Sequence, residues 1–301
     1  MIVRKLRIVG IMKGMFNDIS FFYFLQHFTN IAIIKNTEKC GIMYFRGVDY
    51  MNKLIKDYLS ITFLIMIICW GTLIVCSING IILKDNPLLY VPYLIGGWSP
   101  TIASYISLKK NKQIKGFKDW IKHIFDFKHN LLSYLMVIFL GVVYILPQIF
   151  ISGYESGFPL YAIVLMIPIM LIGGGLEEAG WRYILQSELE KKHNFLLSTL
   201  VVSVIWWIWH LPLFFIQGVA QYGQNYFAFG ISVLGLAFSL ASIRKNTNSV
   251  CLCVLFHCIV NSLSGIYIIN ENIIGSLVTS IILVIMSLVL VKINNKKKIF
   301  N

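Results

Sequence analysis

Residues 159–185 read PLYAIVLMIPIMLIGGGLEEAGWRYIL, an apolar run that ends with two adjacent acids and an arginine. About 20 apolar residues cross a bilayer as a helix, so this run has transmembrane length. A charged residue in the middle of such a helix costs roughly 2.5–3.5 kcal/mol, and its presence therefore indicates a function or a specific partner. The glycines at 173–175, just before the acids, predict close helix approach or a local break.

The composition of the whole chain is that of a membrane protein. Its 301 residues are 57% hydrophobic and only 13% charged, whereas soluble domains carry about 25% charged residues. The mean hydropathy of +0.75 excludes both a water-soluble globule and a disordered chain. We therefore predict an all-α fold, a polytopic bundle of transmembrane helices in the cell membrane with lipids around it.

The positions of the basic residues predict eight spans with both termini in the cytoplasm. With eight crossings, 24 of the 26 Lys and Arg residues fall in cytoplasmic segments, while Lys84 lies in an outer connection and Arg182 in a span. Because the positive charge marks cytoplasmic segments, no nucleic-acid partner is expected. The predicted spans are 59–83, 88–108, 131–151, 159–185, 195–216, 226–243, 249–269 and 273–291.

Two segments lie outside these spans. Residues 1–50 lack the layout of a cleaved signal peptide, and a ninth span there would break the charge alternation. They are interpreted as a peripheral N-terminal extension, with Met51 as an alternative natural start. Residues 116–129 mix aromatic residues with lysines, which predicts an interfacial helix on the cytoplasmic side; the alternative is a basic loop.

Only a few costly polar groups remain inside the predicted spans. At about 1.5 Å per helical residue, their estimated depths allow them to share one layer. Residues four apart lie on one helix face, which predicts two pairs, Glu178 with Arg182 and His257 with Asn261. Glu177 is turned by about 100° from its neighbour and can face elsewhere. The set comprises Glu177, Glu178, Arg182, His210, His257 and Asn261.

These residue types suit hydrolysis of an acyl bond. A carboxylate can act as a general base on water, a histidine can assist, and a second histidine with an amide can donate to the oxyanion. Alternatively, Glu177, His210 and His257 could form a zinc site with an open position for water. The structural alternatives are an ion pair that holds helices together and histidines that only pack. The cysteines, including Cys251 and Cys253, are interpreted as small buried hydrophobes rather than as metal ligands.

Three motifs in this set resemble those of the CAAX protease and bacteriocin-processing enzyme family, the Abi-type intramembrane proteases related to the Ras-converting enzyme. Glu177-Glu178-Ala-Gly-Trp-Arg182 matches the family's Glu-Glu-x-x-x-Arg motif. Trp206-Trp-Ile-Trp-His210 matches its aromatic-x-x-x-His motif, in which Phe is usual at the first position. His257-Cys-Ile-Val-Asn261 matches its His-x-x-x-Asn motif.

The resemblance implies an intramembrane endopeptidase that acts on a membrane-associated peptide or protein. Glu177 would activate water with help from His210, while His257 and Asn261 would form the oxyanion side. Glu178 and Arg182 would support the architecture of the site. The cofactor expectation is either none or zinc. The alternatives are a non-catalytic bacteriocin self-immunity protein and, as a third class, a proton-coupled transporter.

The resemblance also suggests an organisation of the chain and two sites of altered specificity. The membrane domain would be residues 51–301, with 159–269 as the protease-like core that carries the motifs. Trp206 replaces the usual Phe, and Tyr183 stands where many bacterial members carry Gly. Both larger side chains are expected to narrow the substrate cavity.

Overall fold

The computed structural model describes residues 52–270, 272–297 and 299–300, so the prediction for residues 1–50 lies outside the described part of the chain. The described chain is a bundle of helices with one small β-ladder. The helices are α1 (Lys53–Ile78), α2 (Tyr90–Gly97), α3 (Ser99–Lys110), α4 (Phe117–Ile124), α5 (Leu131–Ser152), α6 (Ile163–Ile172), α7 (Gly175–Leu189), α8 (Phe195–Trp209), α9 (Tyr226–Thr247), α10 (Val250–Ile266) and α11 (Ile273–Lys297). Short 3₁₀ turns lie at Leu83–Asp85, Pro87–Leu89, Leu160–Ala162 and Leu211–Phe215.

Polar N-caps define where the long apolar helices begin. In each case a side-chain oxygen accepts a hydrogen bond from a backbone N–H of the first turn, which has no partner within the helix. The apolar runs alone do not determine these starting points. The caps are Asn52 for α1, Asn130 for α5, Asn194 for α8, Asn225 for α9 and Ser249 for α10.

The all-α polytopic fold is confirmed, and most predicted spans correspond to long helices. α1, α5, α9, α11 and the segment Phe195–Phe215 are each long and apolar enough to cross a membrane. The predicted span 159–185 corresponds to α6 and α7, which form a pair bent by 44°. The remaining two spans differ: α2 and α3 are separated at Trp98, and α10 has only 17 residues. The count of eight and the side of each terminus stay predictions.

The glycines at 173–175 break the helix, as the sequence predicts. Gly174 has φ +149°, a backbone conformation that other residues rarely adopt. α7 begins immediately afterwards as a 3₁₀ turn and passes through a π-helical stretch, Trp181–Gln186. π-helical turns are rare and occur often at functional sites. α7 contacts α1, α3, α8, α9 and α10, so its side chains lie in the middle of the bundle.

Two features outside the long helices complete the fold. α4 confirms the helix predicted within 116–129, and it buries Trp120 and Ile124 against the bundle. β1 (Tyr154–Ser156) pairs with β2 (Tyr267–Ile269) in an antiparallel ladder. The predicted seventh span extended to residue 269, but its helix ends at Ile266 and the chain continues as β2.

Candidate active site

The Glu177 carboxylate lies at the start of α7 and is only 8% exposed. Its Oε2 accepts hydrogen bonds from the indole N–H groups of Trp206, at 3.0 Å, and Trp181, at 3.2 Å. Both bonds reach the same oxygen, and no hydrogen bond from the described residues reaches Oε1. The indoles therefore fix the orientation of the carboxylate while one oxygen remains available.

Glu178 has different partners from Glu177 and is fully buried. Its Oε2 accepts from Arg182 Nε at 3.0 Å, which confirms the predicted pair. Its Oε1 lies 2.8 Å from His257 Nδ1 on α10. Because a carboxylate only accepts hydrogen bonds, this contact places a proton on Nδ1 of His257. Glu178 thus orients the imidazole, a role that the sequence did not indicate.

Three of the predicted site residues surround one point beside Gly174. A methyl group built on Gly174 would lie 2.8 Å from Asn261 Nδ2, 3.2 Å from His257 Nε2 and 3.6 Å from Glu177 Oε1. Because glycine has no side chain, the position beside its Cα stays open next to these three groups. A carboxylate oxygen, an imidazole nitrogen and an amide nitrogen therefore converge within reach of one small group.

His210 lies at the end of α8 and, like His257, packs beside the indole of Trp206. Both imidazoles contact this indole, each with 5.6 Å between ring centroids. His210 Nδ1 lies 2.8 Å from the backbone carbonyl of Trp206. Since a carbonyl accepts, Nδ1 carries the proton and a neutral His210 presents Nε2 as an acceptor.

All four residues predicted to be catalytic line one cavity of about 690 Å³. Trp206, which replaces the Phe that is usual in the family, also lines the cavity, as the sequence predicts. Tyr183 does not line this cavity, so the expectation that it narrows the cavity is wrong. Its ring instead stacks on His123 of α4, with centroids 5.9 Å apart. These four residues are Glu177, His210, His257 and Asn261.

A hydrogen-bonded chain continues behind Arg182 towards the end of α7. Gln186 is fully buried and lies 3.5 Å from Arg182 Nη1. Its amide donates to Glu190 at 2.7 Å and to Thr199 at 3.1 Å. Arg182 also packs over the Trp206 ring, 5.5 Å from its centroid. The four-residue spacing of Arg182, Gln186 and Glu190 could have indicated this series of hydrogen bonds from the sequence.

The zinc alternative requires Glu177, His210 and His257 to hold one ion. Among residues 52–270, 272–297 and 299–300, no group of three or more His, Cys, Asp or Glu side chains is placed to hold a metal ion. Glu178 accepts from Nδ1 of His257 and the Trp206 carbonyl accepts from Nδ1 of His210, which leaves Nε2 of each ring open to a ligand. The described cysteines are unpaired, and Cys251, Cys253 and Cys258 are buried, as expected for small hydrophobes.

Comparisons with known proteins agree with the motifs. Residues 159–263 match the family model described as type II CAAX prenyl endopeptidase, Rce1-like. The chain is also 26% identical over 228 residues to CAAX prenyl protease 2 of Methanococcus maripaludis. This alignment covers 68% of the chain and 82% of the relative. Both matches support a CAAX-type protease. The matched region contains the three motifs and the bend at Gly174.

Proposed function

We propose that this CAAX-type protease hydrolyses a peptide bond of a membrane-associated peptide with water that Glu177 activates. The observation that carries the proposal is the convergence of Glu177 Oε1, His257 Nε2 and Asn261 Nδ2 around the space beside Gly174. The name of the archaeal relative points to prenylated CAAX peptides. A peptide with a prenylated C-terminal cysteine motif is therefore the first substrate to test.

In the attack step, Glu177 Oε1 takes a proton from water as the water oxygen bonds to the carbonyl carbon. The indoles of Trp181 and Trp206 hold the other carboxylate oxygen, so Oε1 keeps a fixed direction. His210 assists because its Nε2 can accept a hydrogen bond from the attacking water. When the C–N bond breaks, the proton on Glu177 passes to the leaving amine.

The carbonyl oxygen becomes an oxyanion that accepts hydrogen bonds from Asn261 and His257. The proton on Nδ1 of His257 is donated to Glu178. His257 can therefore donate from Nε2 as well only when it is an imidazolium, with a proton on each nitrogen. An imidazolium also balances the charge of the site. Glu177, Glu178 and Arg182 together carry one net negative charge, and a protonated His257 neutralises it. When Glu177 gains a proton and the oxyanion forms, the net charge of this buried group stays zero.

Replacement of Glu177 tests the proposal. Glu177→Gln keeps an oxygen that can accept from both indoles but cannot take a proton from water. We expect kcat to fall by about 10²–10⁴-fold, with an unchanged unfolding temperature. The measurement is hydrolysis of a quenched fluorescent farnesylated CAAX peptide, and of its unmodified counterpart, by protein in proteoliposomes.

The matched control is Glu155→Gln, which removes an exposed carboxylate on β1 and should leave hydrolysis unchanged. Because the proposed step uses only side chains, a chelator should also leave the rate unchanged. Wild-type rates in folded Glu177→Gln protein would contradict the proposal. Chelator inhibition that zinc reverses would replace the glutamate step with a metal-assisted one.

A further inference from the structure

Strand β2 forms part of the cavity wall through its main chain. Tyr267, Ile268 and Ile269 all line the cavity, as does the next residue, Asn270, whereas no residue of β1 does. Successive side chains of a strand point to opposite faces. If only side chains lined the cavity, only every second residue of β2 would line it. The edge of β2 opposite β1 therefore faces the cavity.

The hydrogen bonds of the ladder show which main-chain groups lie on that edge. Asn270 N–H donates to Gly153 O at 3.2 Å, and Gly157 N–H donates to Ile266 O at 2.9 Å. Ile268 is paired with Glu155 between these two bonds. Because alternate residues of an antiparallel strand face the partner, both main-chain groups of Ile269 point away from β1.

Tyr267 adds one further acceptor to this edge. Its N–H is already bonded to Leu263 O at the end of α10, which leaves its C=O. Within the described part of the chain, no hydrogen bond occupies the N–H or C=O of Ile269 or the C=O of Tyr267. The cavity wall thus presents one donor and two acceptors with the spacing of a β-strand edge.

Gln148 supplies a second polar group from α5, which contacts β2. Its side chain lines the cavity and is only 6% exposed. Its amide nitrogen makes one long contact, 3.4 Å, with Tyr144 O of its own helix. No described residue donates to its carbonyl oxygen. This oxygen can accept a hydrogen bond from an N–H group of a ligand in the cavity.

We propose that the substrate binds as an extended strand that adds to the free edge of β2. The substrate residue opposite Ile269 would exchange both main-chain hydrogen bonds with it, and Gln148 would accept a further substrate N–H. This inference rests on the proposed peptide hydrolysis, and it narrows the substrate to a segment without helical structure, since a helix uses its own main-chain groups.

The distance from this edge to the reaction centre limits the substrate register. Ile269 follows Asn261 by eight residues, of which five continue α10 and three form β2. At about 1.5 Å per helical residue and about 3.3 Å per strand residue, the path measures about 17 Å. The paired substrate residue therefore lies within about five extended residues of the scissile bond.

The test measures binding separately from cleavage. Glu177→Gln protein in detergent micelles would be titrated with a fluorescent farnesylated CAAX peptide and with its unmodified counterpart. Each peptide amide would then be N-methylated in turn, which removes one main-chain donor. We expect N-methylation of every second residue near the scissile bond to raise Kd about tenfold. N-methylation of the residues between them should change Kd less than about twofold.

Two variants on the same background address the protein side of the contact. Ile269→Pro removes the N–H that faces the cavity, and Gln148→Leu removes the amide. Each should raise Kd about tenfold without lowering the unfolding temperature. Gln113→Leu makes the same substitution as Gln148→Leu at an exposed position outside the cavity and should leave Kd unchanged.

Uniform tolerance of N-methylation would overturn the proposal, as would unchanged Kd values for both Ile269→Pro and Gln148→Leu. Failure of both peptides to bind would overturn it as well. An alternating pattern of Kd values would support it even if the wild-type protein cleaved neither peptide. In that case the strand site would stand, and the proposed hydrolysis would be the part that fails.

Discussion

Glu177 and Glu178 are adjacent in sequence but belong to two different regions of the molecule. Glu177 belongs to the cavity wall, where Oε1 and the Nε2 atoms of both histidines have no hydrogen bond from the described residues. Glu178 belongs to the closed region behind the wall, where Arg182 and His257 occupy both of its oxygens. A carboxylate is therefore available for the proposed chemistry where it is left unpaired, and it supports the architecture where it is paired.

The largest expected effect comes from removing the negative charge of Glu178 in the closed region. Glu178→Gln leaves the fully buried Arg182 without its counter-charge, which typically costs about 3–5 kcal/mol. It also weakens the contact that orients His257, so hydrolysis should fall together with the free energy of unfolding. Both would be measured on detergent-solubilised protein by denaturant titration and peptide hydrolysis.

Glu190→Gln is the matched control for Glu178→Gln. It also breaks an ion pair, at the residue that follows α7, but the partner Lys245 is 41% exposed. Such pairs contribute about 0–1 kcal/mol, so the loss of stability should be small. If Glu178→Gln and Glu190→Gln lowered the free energy of unfolding equally, the claim that the buried pair contributes more than the exposed pair would be contradicted.

A smaller effect is expected from filling the space beside Gly174. The new methyl group of Gly174→Ala would contact Asn261, His257 and Glu177, and displace the reacting groups. Displacement of about 1 Å can cost about 100-fold in rate. The measurement is kcat for peptide hydrolysis, with the unfolding temperature recorded in parallel.

Gly80→Ala separates the effect of space from that of backbone strain. Gly80 also has positive φ, but a methyl group there meets no atom within 4 Å. It should lower stability modestly and leave kcat unchanged. Comparable kcat values for Gly174→Ala and the wild type would show that the reaction does not occur at this point.

The smallest expected effect is on the orientation of Glu177. Trp206→Phe removes one of the two indole donors to Oε2 and introduces the residue that the family usually carries. We expect kcat to fall about fivefold to tenfold, since one hydrogen bond contributes about 1 kcal/mol. Trp207→Phe is the control, because its indole donates to Tyr226 O instead. A larger loss in Trp207→Phe would place the important indole outside the cavity.

Much of the fold and part of the site could be predicted from the sequence. Apolar length and basic flanks predicted the membrane bundle because burial of charge in lipid is costly. The four-residue spacing predicted the Glu178–Arg182 pair, and the glycines predicted the bend at Gly174. These are local properties of one helix, and the sequence encodes them directly.

The remaining features depend on contacts between helices. The N–H groups of Trp181 and Trp206 hold Glu177, a role that the sequence did not indicate. Tyr183 was expected at the cavity, but it does not line the cavity and its ring stacks on His123 of α4. The pairing of β1 with β2 joins segments more than a hundred residues apart, which no local pattern predicts.

The most direct test of the central claim is an experimental structure of Glu177→Gln protein with the farnesylated CAAX peptide bound. We predict that the scissile carbonyl lies in the space beside Gly174, with its oxygen within hydrogen-bonding distance of Asn261 Nδ2 and His257 Nε2. A peptide bound with its scissile carbonyl outside this space, or residue 177 facing the lipid, would contradict the account.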